Sequence, residues 1–384
     1  MQPVFFKGRG NPTMYDDLMD FINYVFGFNG NGSDFKKLLP KLYNPEYDPC
    51  RNNFVITENG KLRAAIGAFD SVFSVGGTEL KCRGIGNVAV HPYHRSKGYM
   101  IECMNMINES IISDGYDFSM LGGQRQRYGH FGYEDSGCAY SFLINGTNIR
   151  HCFRDVPFCE LEIRDVHEND TELIDAAYAL YLTRPMRTVR KREEFLDICH
   201  SWREELRAIL RSGEVIGYFV GGLGELTLKD SGDFDDVIRN YVGKFGKAEL
   251  TLPSWDEKLI AAAYRITDYY SIRNCYMYSI YNYKRVLGAL LSFKASISSL
   301  CDFSLNVLIH GIAGDERLTL SVKDGSADVT DAPDGCEIAL ELEHKEALAF
   351  FCSPYSPLRH SRALPPALLT ALPLPLFTEG ADHV

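Results

Sequence analysis

The chain has 384 residues, of which 45% are hydrophobic, 24% charged and 12% aromatic, and these values exclude a disordered or collagen-like protein. At roughly 100–200 residues per domain, this length predicts two or three domains. The formal net charge of -11 argues against a general nucleic-acid binder, and no apolar run approaches the roughly 18 residues that span a bilayer. The start of the chain lacks the apolar core of a signal peptide, so we expect a cytoplasmic protein.

The 11 cysteines are scattered and none forms a C-x-x-C pair. We therefore expect reduced thiols that pack as small hydrophobic residues, and no metal site.

The first 145 residues alternate between helical and strand patterns. Apolar residues at helical spacing predict a helix over 15–26, and Ser33 or Asp34 is suited to cap a short helix that follows. The remaining predicted elements are a hairpin over 52–69 with a Glu-Asn-Gly turn, a strand over 72–90, a helix over 98–115 and a strand over 117–123. This order predicts a mixed α/β domain.

The middle region repeats a similar order. Its predicted elements are a strand at 158–166, helices at 171–184 and 191–211, a strand at 214–222, a helix at 234–245, a strand at 248–252, a helix at 256–266 and a strand at 274–282. In the segment 191–211, opposite charges lie four residues apart, which favours a solvated helix face. The repeated order indicates a degenerate internal duplication.

The pattern changes again near residue 290. A helix leads into short alternating strands, one further helix follows, and six of the 16 prolines lie after residue 353. Proline removes backbone donors and fixes φ, so the tail is predicted to be extended or turned. The apolar run Leu372–Phe377 predicts that this tail docks against the body of the protein.

One segment carries chemistry: a strand ends at Val90, a basic turn follows, and a helix begins near Gly98. Amides at a helix N-terminus are unpaired and carry the positive end of the helix dipole. Gly98 permits close backbone approach, and Arg95 and Lys97 add positive charge. The turn is therefore a candidate site for a pyrophosphate, although the bare pattern is also common in surface turns.

The spacing V-x-V-x-P-x-x-R-x-x-G over 88–98 resembles the coenzyme A signature of the GNAT acetyltransferase superfamily, and Arg127–Glu134 resembles its Y-x-x-F-G-Y-E stretch. With three regions, the chain resembles the Eis-like (enhanced intracellular survival) group. That resemblance implies an α/β (α+β) architecture of tandem GNAT-like mixed-sheet domains: a catalytic GNAT domain at 1–150, a GNAT-like domain without a cofactor site at 151–288, and a smaller sterol-carrier-like domain at 289–384. Met100 stands where most GNAT enzymes have Gly or Ala, which favours this subgroup.

The resemblance also implies roles for individual residues. Arg95, Ser96, Lys97 and Gly98, leading into Tyr99 and Met100, match the pyrophosphate cradle. Val88, Ala89 and Val90 match the strand that pairs with the pantetheine arm. Tyr128 matches the general acid that protonates the leaving thiolate, and its alternative role is that of a packed aromatic residue.

In Eis-like proteins the chain's own terminal carboxylate serves as the base, which here is that of Val384. Asp382 or Glu379 are the alternatives, either as the base or as groups that bind a cationic substrate. In the middle domain the corresponding turn, Leu228–Asp236, contains four aspartates that would repel a pyrophosphate. We therefore expect no coenzyme A there.

The resulting hypothesis is an acetyl-CoA-dependent N-acetyltransferase that acts on a small-molecule amine such as an aminoglycoside, a polyamine or a lysine side chain. One alternative is a ligand-binding or coenzyme A-sensing protein that uses its C-terminal sterol-carrier-like domain without turnover. Another is acyl transfer to a hydroxyl, or transfer of a longer acyl chain. The extended apolar tail is compatible with a homo-oligomer.

Overall fold

The structure is a computed structural model that describes residues 3–28, 30, 32, 34–361 and 364–384. Ser33, one of the two predicted helix caps, lies outside these residues. Asp34 occupies the cap position of the following helix, but its side chain makes no capping hydrogen bond and instead pairs with Lys37 at 3.3 Å.

The N-terminal part is built on a long mixed sheet flanked by helices. The strands of this part of the chain are β1 (Phe5–Arg9), β2 (Asn53–Glu58), β3 (Lys61–Val75), β4 (Thr78–Val90), β5 (Phe118–Leu121), β6 (Glu134–Ser136) and β7 (Ala139–Asn145). Its helices are α1 (Tyr15–Gly27), α2 (Phe35–Leu38), α3 (Pro40–Tyr43), α4 (Tyr99–Ser113), α5 (Arg125–Tyr128) and α6 (Gly146–Cys152). The predicted helix over 15–26 and the β2–β3 hairpin at Asn59-Gly60 are confirmed.

The middle part contains further sheets. Its strands are β8 (Glu162–Asp165), β9 (Met186–Thr188), β10 (Leu206–Arg211), β11 (Glu214–Val220), β12 (Glu225–Leu228), β13 (Lys247–Pro253), β14 (Tyr270–Arg273) and β15 (Tyr276–Ile280). Its helices are α7 (Thr171–Leu182), α8 (Phe195–Cys199), α9 (Phe234–Phe245) and α10 (Glu257–Ile266). The order of the elements follows that of the N-terminal part, and the predicted mixed α/β fold is confirmed.

Three strands pair with strands of the other part. The first sheet runs β1-β2-β3-β4-β5-β15-β6, so β15 lies between two N-terminal strands, and β9 pairs with β3. Conversely, β7 is the central strand of the sheet β13-β7-β14. The division at residues 150 and 288 remains a prediction, but the sheets do not follow a linear division of the chain.

The helix predicted over 191–211 is wrong. Only α8 is helical there, a 3-10 turn follows at Ser201–Arg203, and β10 occupies the last six residues. β10 pairs with both β8 and β11, and Leu206, Ala208 and Leu210 are buried. The charge spacing favoured a helix, but the pairing of an apolar central strand is the stronger effect.

The C-terminal part contains helix α11 (Tyr283–Ile297) and the sheet β18-β17-β16-β19. Its strands are β16 (Phe303–Gly311), β17 (Gly314–Lys323), β18 (Ser326–Asp331) and β19 (Leu340–Glu343), and its later helices are α12 (His344–Cys352), α13 (Pro357–Ser361) and α14 (Pro366–Ala371). The predicted docking of the tail is confirmed, because Leu374, Leu376 and Phe377 are buried in the core that this part shares with the first sheet. Among the described residues, no helix is both long and apolar enough to cross a membrane.

Candidate active site

β4 carries a bulge that separates its end from β5. The parallel pairing of these strands stops at Ile85 and Leu121, although β4 continues to Val90. Between paired positions on β3 and β4, Ile66 stands opposite both Asn87 and Val88. A bulge bends its strand and leaves ladder groups unpaired, so a cleft opens between β4 and β5.

Asn87 forms the bulge with a φ of 39°. Its side-chain nitrogen Nδ2 donates a hydrogen bond to Asn53 Oδ1 at 2.8 Å. Asparagine tolerates this left-handed backbone better than most residues. The residue at this position therefore favours the bulge, which leaves the end of β4 with an open strand edge.

The predicted pyrophosphate turn lies at the end of this strand. Arg95, Ser96 and Lys97 are exposed, and Gly98 occupies the cap position of α4 with a φ of 83°. Gly98 has no side chain to cap the first-turn amides, and a Cβ at this position would meet nothing within 4 Å. The turn therefore presents unpaired amides and two cations to solvent, which is suited to an anionic phosphate group.

The other predicted cofactor-binding residues lie on two opposite faces of the first sheet. Val88, Val90 and Met100 are half-buried, and Tyr99 is buried, on the side of the sheet that packs against α4. The side chain of Ala89 is buried on the opposite side, against α1. Any contact of Ala89 with a cofactor is thus through its main chain.

The chain ends inside the cleft between β4 and β5. An ideal Cβ on Gly86 would lie 3.0 Å from the terminal carboxyl carbon of Val384, and one on Gly84 would lie 2.8 Å from its Cγ2. A cavity of about 320 Å³ is lined by Val384, Val88 and Tyr128, together with apolar residues of α1 and α2. The structure therefore brings together Val88, Tyr128 and Val384, which are far apart in sequence.

Tyr128 ends the short helix α5 and is buried. Burial raises the pKa of its phenol above the ordinary value. The hydroxyl therefore keeps its proton at neutral pH and can donate it. Its ring packs against Gly123, where a Cβ would come within 2.6 Å of a ring carbon.

Buried ion pairs hold the tail. Glu379 pairs with Arg184, and Asp382 pairs with Arg190 at 2.8 Å. All four side chains are at least nine-tenths buried. The carboxylates of Glu379 and Asp382, which were the alternative bases, are thus engaged with arginines.

A second cavity, of about 470 Å³, continues from the first and shares Gly122, Trp202 and Val384 with it. Glu204 and Glu225 line it, and Tyr276 forms part of its wall. Glu225 is engaged in a two-point contact with Arg190. Glu204 and the chain terminus therefore supply the negative charge of this joined space.

The corresponding turn of the middle domain carries its own carboxylates. Asp230 accepts a hydrogen bond from the amide of Gly232 at 2.8 Å, so it occupies a position that an anion would need. The other three aspartates form ion pairs: Asp233 and Asp236 with Arg211, and Asp235 with Arg265. Within the described part of the chain, no three metal-ligating side chains stand close enough to hold an ion.

Sequence comparison identifies the N-terminal part. Residues 9–135 match the profile of the family described as an acetyltransferase (GNAT) domain. Residues 9–135 therefore form a GNAT-type domain. No curated protein matches the chain by sequence.

Solved structures resemble the chain over its whole length. A conserved protein of Enterococcus faecalis V583, described as a probable N-acyltransferase, has a TM-score of 0.67 at 15% identity and covers 100% of both chains. A GCN5-related N-acetyltransferase from Kribbella flavida has a TM-score of 0.67 at 16% identity, over 100% of this chain and 99% of its own. Eis1 from Mycobacterium abscessus has a TM-score of 0.60 at 12% identity, over 99% and 100%. At these identities the likeness shows a shared fold.

Sequence reasoning missed Asn87, Lys41 and Trp202 at this site. Gly86-Asn87 within a strand pattern is a recognisable bulge signal. Lys41 and Trp202 carry no local signal, because both reach the site only through long-range contacts with the tail.

Proposed function

We propose that the protein is an Eis-like N-acetyltransferase that transfers the acetyl group of acetyl-CoA to an amine. The observation that carries this proposal is the location of Val384: the chain terminus lies against Gly84 and Gly86 of β4, in one cavity with Tyr128. A carboxylate and a phenol that line one cavity beside an open strand edge are the two groups that a direct amine–thioester reaction needs.

In this proposal each part of the chain has a defined task. Acetyl-CoA, when bound, supplies the acetyl group as a thioester. The turn Arg95–Gly98 and the first amides of α4 bind the pyrophosphate, and the open main chain of Val88 and Val90 orients the pantetheine arm.

The reaction forms one carbon–nitrogen bond and breaks one carbon–sulfur bond. The carboxylate of Val384 accepts the proton that the attacking amine must lose. Tyr128 donates its phenolic proton to the departing sulfur, and its raised pKa favours the protonated form that this role requires. Glu204 and the terminal carboxylate attract a cationic acceptor into the joined cavities.

The other two regions have supporting tasks in this proposal. The middle domain binds no coenzyme A, because Asp230 already occupies its turn. The C-terminal part is sterol-carrier-like, and its contribution is the tail that it delivers to the cleft.

The test is thiol release from acetyl-CoA over a panel of amines containing a polyamine, an aminoglycoside and a lysine peptide. The full chain is compared with a chain that ends at His383 and with Tyr128→Phe. Each loses roughly 10²–10⁴-fold in kcat and still binds coenzyme A by calorimetry, because only proton transfer is removed. Tyr355→Phe is the matched control, since Tyr355 is 67% exposed.

Amine-dependent release that survives loss of Val384 would exclude the terminal carboxylate as the base. Coenzyme A binding without release for any amine would favour the sensor or binding-protein alternative. Release with a hydroxyl acceptor or a longer acyl donor alone would change the assigned reaction.

A further inference from the structure

Lys41 on α3 places its ammonium group against the end of the tail. Its Nζ donates to the main-chain carbonyl of Ala381 and to that of His383, the second contact at 2.6 Å. These two carbonyls belong to the last four residues of the chain. A side chain of the N-terminal domain therefore holds the main chain immediately before Val384.

Burial of this ammonium group carries a desolvation cost. The residue as a whole is half-buried, but its ammonium is surrounded by protein atoms, and burial lowers the pKa of Lys41 to about 7. The charged groups around it are Asp382 and Glu225, which favour the ammonium, and Arg190, which opposes it; the Cys199 thiol and the His383 ring also face it. An enclosed amine with two carbonyl acceptors is stabilised by those acceptors, because a buried charge without partners is strongly unfavourable.

His383 is held from three directions. Its carbonyl accepts from Lys41 and, at 3.0 Å, from Trp202 Nε1 of the middle domain. Its ring stacks on Tyr276 of β15, with centroids 3.6 Å apart, and its Nε2 lies 3.1 Å from Thr378 Oγ1. Val384 directly follows this fixed point, so the contacts on His383 determine where the carboxylate of Val384 stands.

We propose that Lys41 is a positioning residue that fixes the terminal carboxylate of Val384 in the cleft between β4 and β5. This inference rests on the proposed function. Lys41 itself contacts main-chain carbonyls of the tail and acts on the reaction through them. A misplacement of about 1 Å at a reacting group can cost on the order of 10²-fold in rate, so the hold on His383 is directly relevant to turnover.

The kinetic test is a double-mutant cycle between Lys41→Met and deletion of Val384. Lys41→Met keeps the length of the side chain and removes its charge and its donors. In the full chain it lowers kcat at least tenfold and leaves the KM for acetyl-CoA within about twofold. In the chain that already lacks Val384, the same substitution changes kcat by less than about twofold, because the group it positions is absent.

Lys41→Arg retains a charged donor and recovers part of the lost kcat. Lys37→Met is the matched control, because Lys37 lies on the adjacent helix α2 with an 85% exposed side chain. If Lys41→Met does not fold, Lys41→Gln, which keeps an N–H donor without the charge, takes its place in the cycle.

A second readout does not depend on catalysis. Carboxypeptidase releases Val384 from the native full chain, and the rate is followed by intact mass. Release is slow in the wild-type chain and at least tenfold faster in Lys41→Met. In the wild-type chain it accelerates between pH 6 and pH 8, relative to a peptide of the same tail sequence, because charge-assisted hydrogen bonds are lost as the ammonium deprotonates near pH 7.

The two readouts separate the two proposals. If no amine supports turnover but Lys41→Met accelerates release of Val384, the proposed function fails and the hold on the tail stands. If Lys41→Met leaves kcat and release unchanged, or lowers kcat equally in the chain without Val384, the positioning role of Lys41 is overturned.

Discussion

At the scale of single residues, the site depends on two glycines that leave room for the chain terminus. Gly84 and Gly86 lie two residues apart on β4, so a side chain at either position would point to the same side of the sheet. Cβ atoms there would lie 2.8 Å from Val384 Cγ2 and 3.0 Å from its carboxyl carbon. Such distances are shorter than ordinary van der Waals contact, so any larger residue must displace Val384.

Gly84→Ala is therefore expected to lower kcat about tenfold, by pushing Val384 out of the cleft. Because the contact is with the Val384 side chain, adding Val384→Ala removes the clashing methyl groups and restores most of the lost rate. Steady-state thiol release measures both variants. Gly243→Ala on α9, where an added Cβ meets nothing within 4 Å, is the control and leaves kcat unchanged. A double variant no faster than Gly84→Ala alone would show that the loss has another cause.

At the scale of elements, the sequence predicts what local patterns specify. The β2–β3 hairpin was predictable because Asn59-Gly60 suits a tight turn between alternating strands. Helix α4 was predictable from its apolar spacing, and the basic turn before it from its charge and its glycine.

The rest depends on contacts between residues far apart in the chain. The local sequence of β10 predicts a helix, because its pairing with β8 and β11 depends on residues that are distant in the chain. The insertion of β15 between β5 and β6 has no signal in its own residues. The place of Val384 was expected only from family resemblance, because the ion pairs that hold the tail join residues about 190 positions apart.

The tail is an element held by buried charges. Arg190 is fully buried and contacts Glu225 through both terminal nitrogens, at 2.9 and 2.7 Å, and Asp382 through Nε at 2.8 Å. Its removal would leave two buried carboxylates without the guanidinium that pairs with both of them. Breaking a buried pair by removing one partner typically costs about 3–5 kcal/mol.

Arg190→Met is accordingly expected to lower the free energy of unfolding by about 3–5 kcal/mol. Arg192→Met is the matched control, because Arg192 pairs with Asp175 at the surface and such pairs contribute only about 0–1 kcal/mol. Denaturant unfolding of both variants gives the comparison. If Arg190→Met lowers the free energy of unfolding no more than Arg192→Met does, the ion pairs that hold the tail add no net stability.

At the scale of the whole molecule, the three parts interlock. β7 and β15 are each supplied by one part to a sheet of the other, and the C-terminal core includes Phe118 of β5 and Tyr278 of β15. The tail then returns to the first sheet, so the end of the chain can be placed precisely only when all parts are assembled. This interlocking gives a physical reason why the proposed catalytic carboxylate of Val384 is held in place at a terminus, where chains otherwise fray.

His344 of the C-terminal part contacts residues of both other parts. At the start of α12, its Nε2 lies 3.0 Å from the carbonyl of Gly132 and 3.1 Å from Ser279 Oγ, and its Nδ1 lies 3.2 Å from Tyr283 Oη. Burial lowers the pKa of His344 from 6.5 to about 4, and the neighbouring Lys345 adds to the effect. The folded protein therefore keeps this imidazole neutral at pH values where the unfolded chain protonates it.

Between pH 6.5 and 4 the unfolded state binds more protons at His344 than the folded state does. The contribution of His344 to the free energy of unfolding therefore falls as the pH falls. His344→Asn removes the titrating group together with its hydrogen bonds. We expect the variant to melt below the wild-type protein at pH 7.5, and the difference in Tm to narrow as the pH is lowered to 4.5, because only the wild type loses stability through His344. Thermal unfolding across this range measures the difference, with the exposed His151→Asn as the control whose Tm difference stays constant. A Tm difference for His344→Asn that stays constant or widens as the pH is lowered would contradict a neutral, half-buried His344 at the junction.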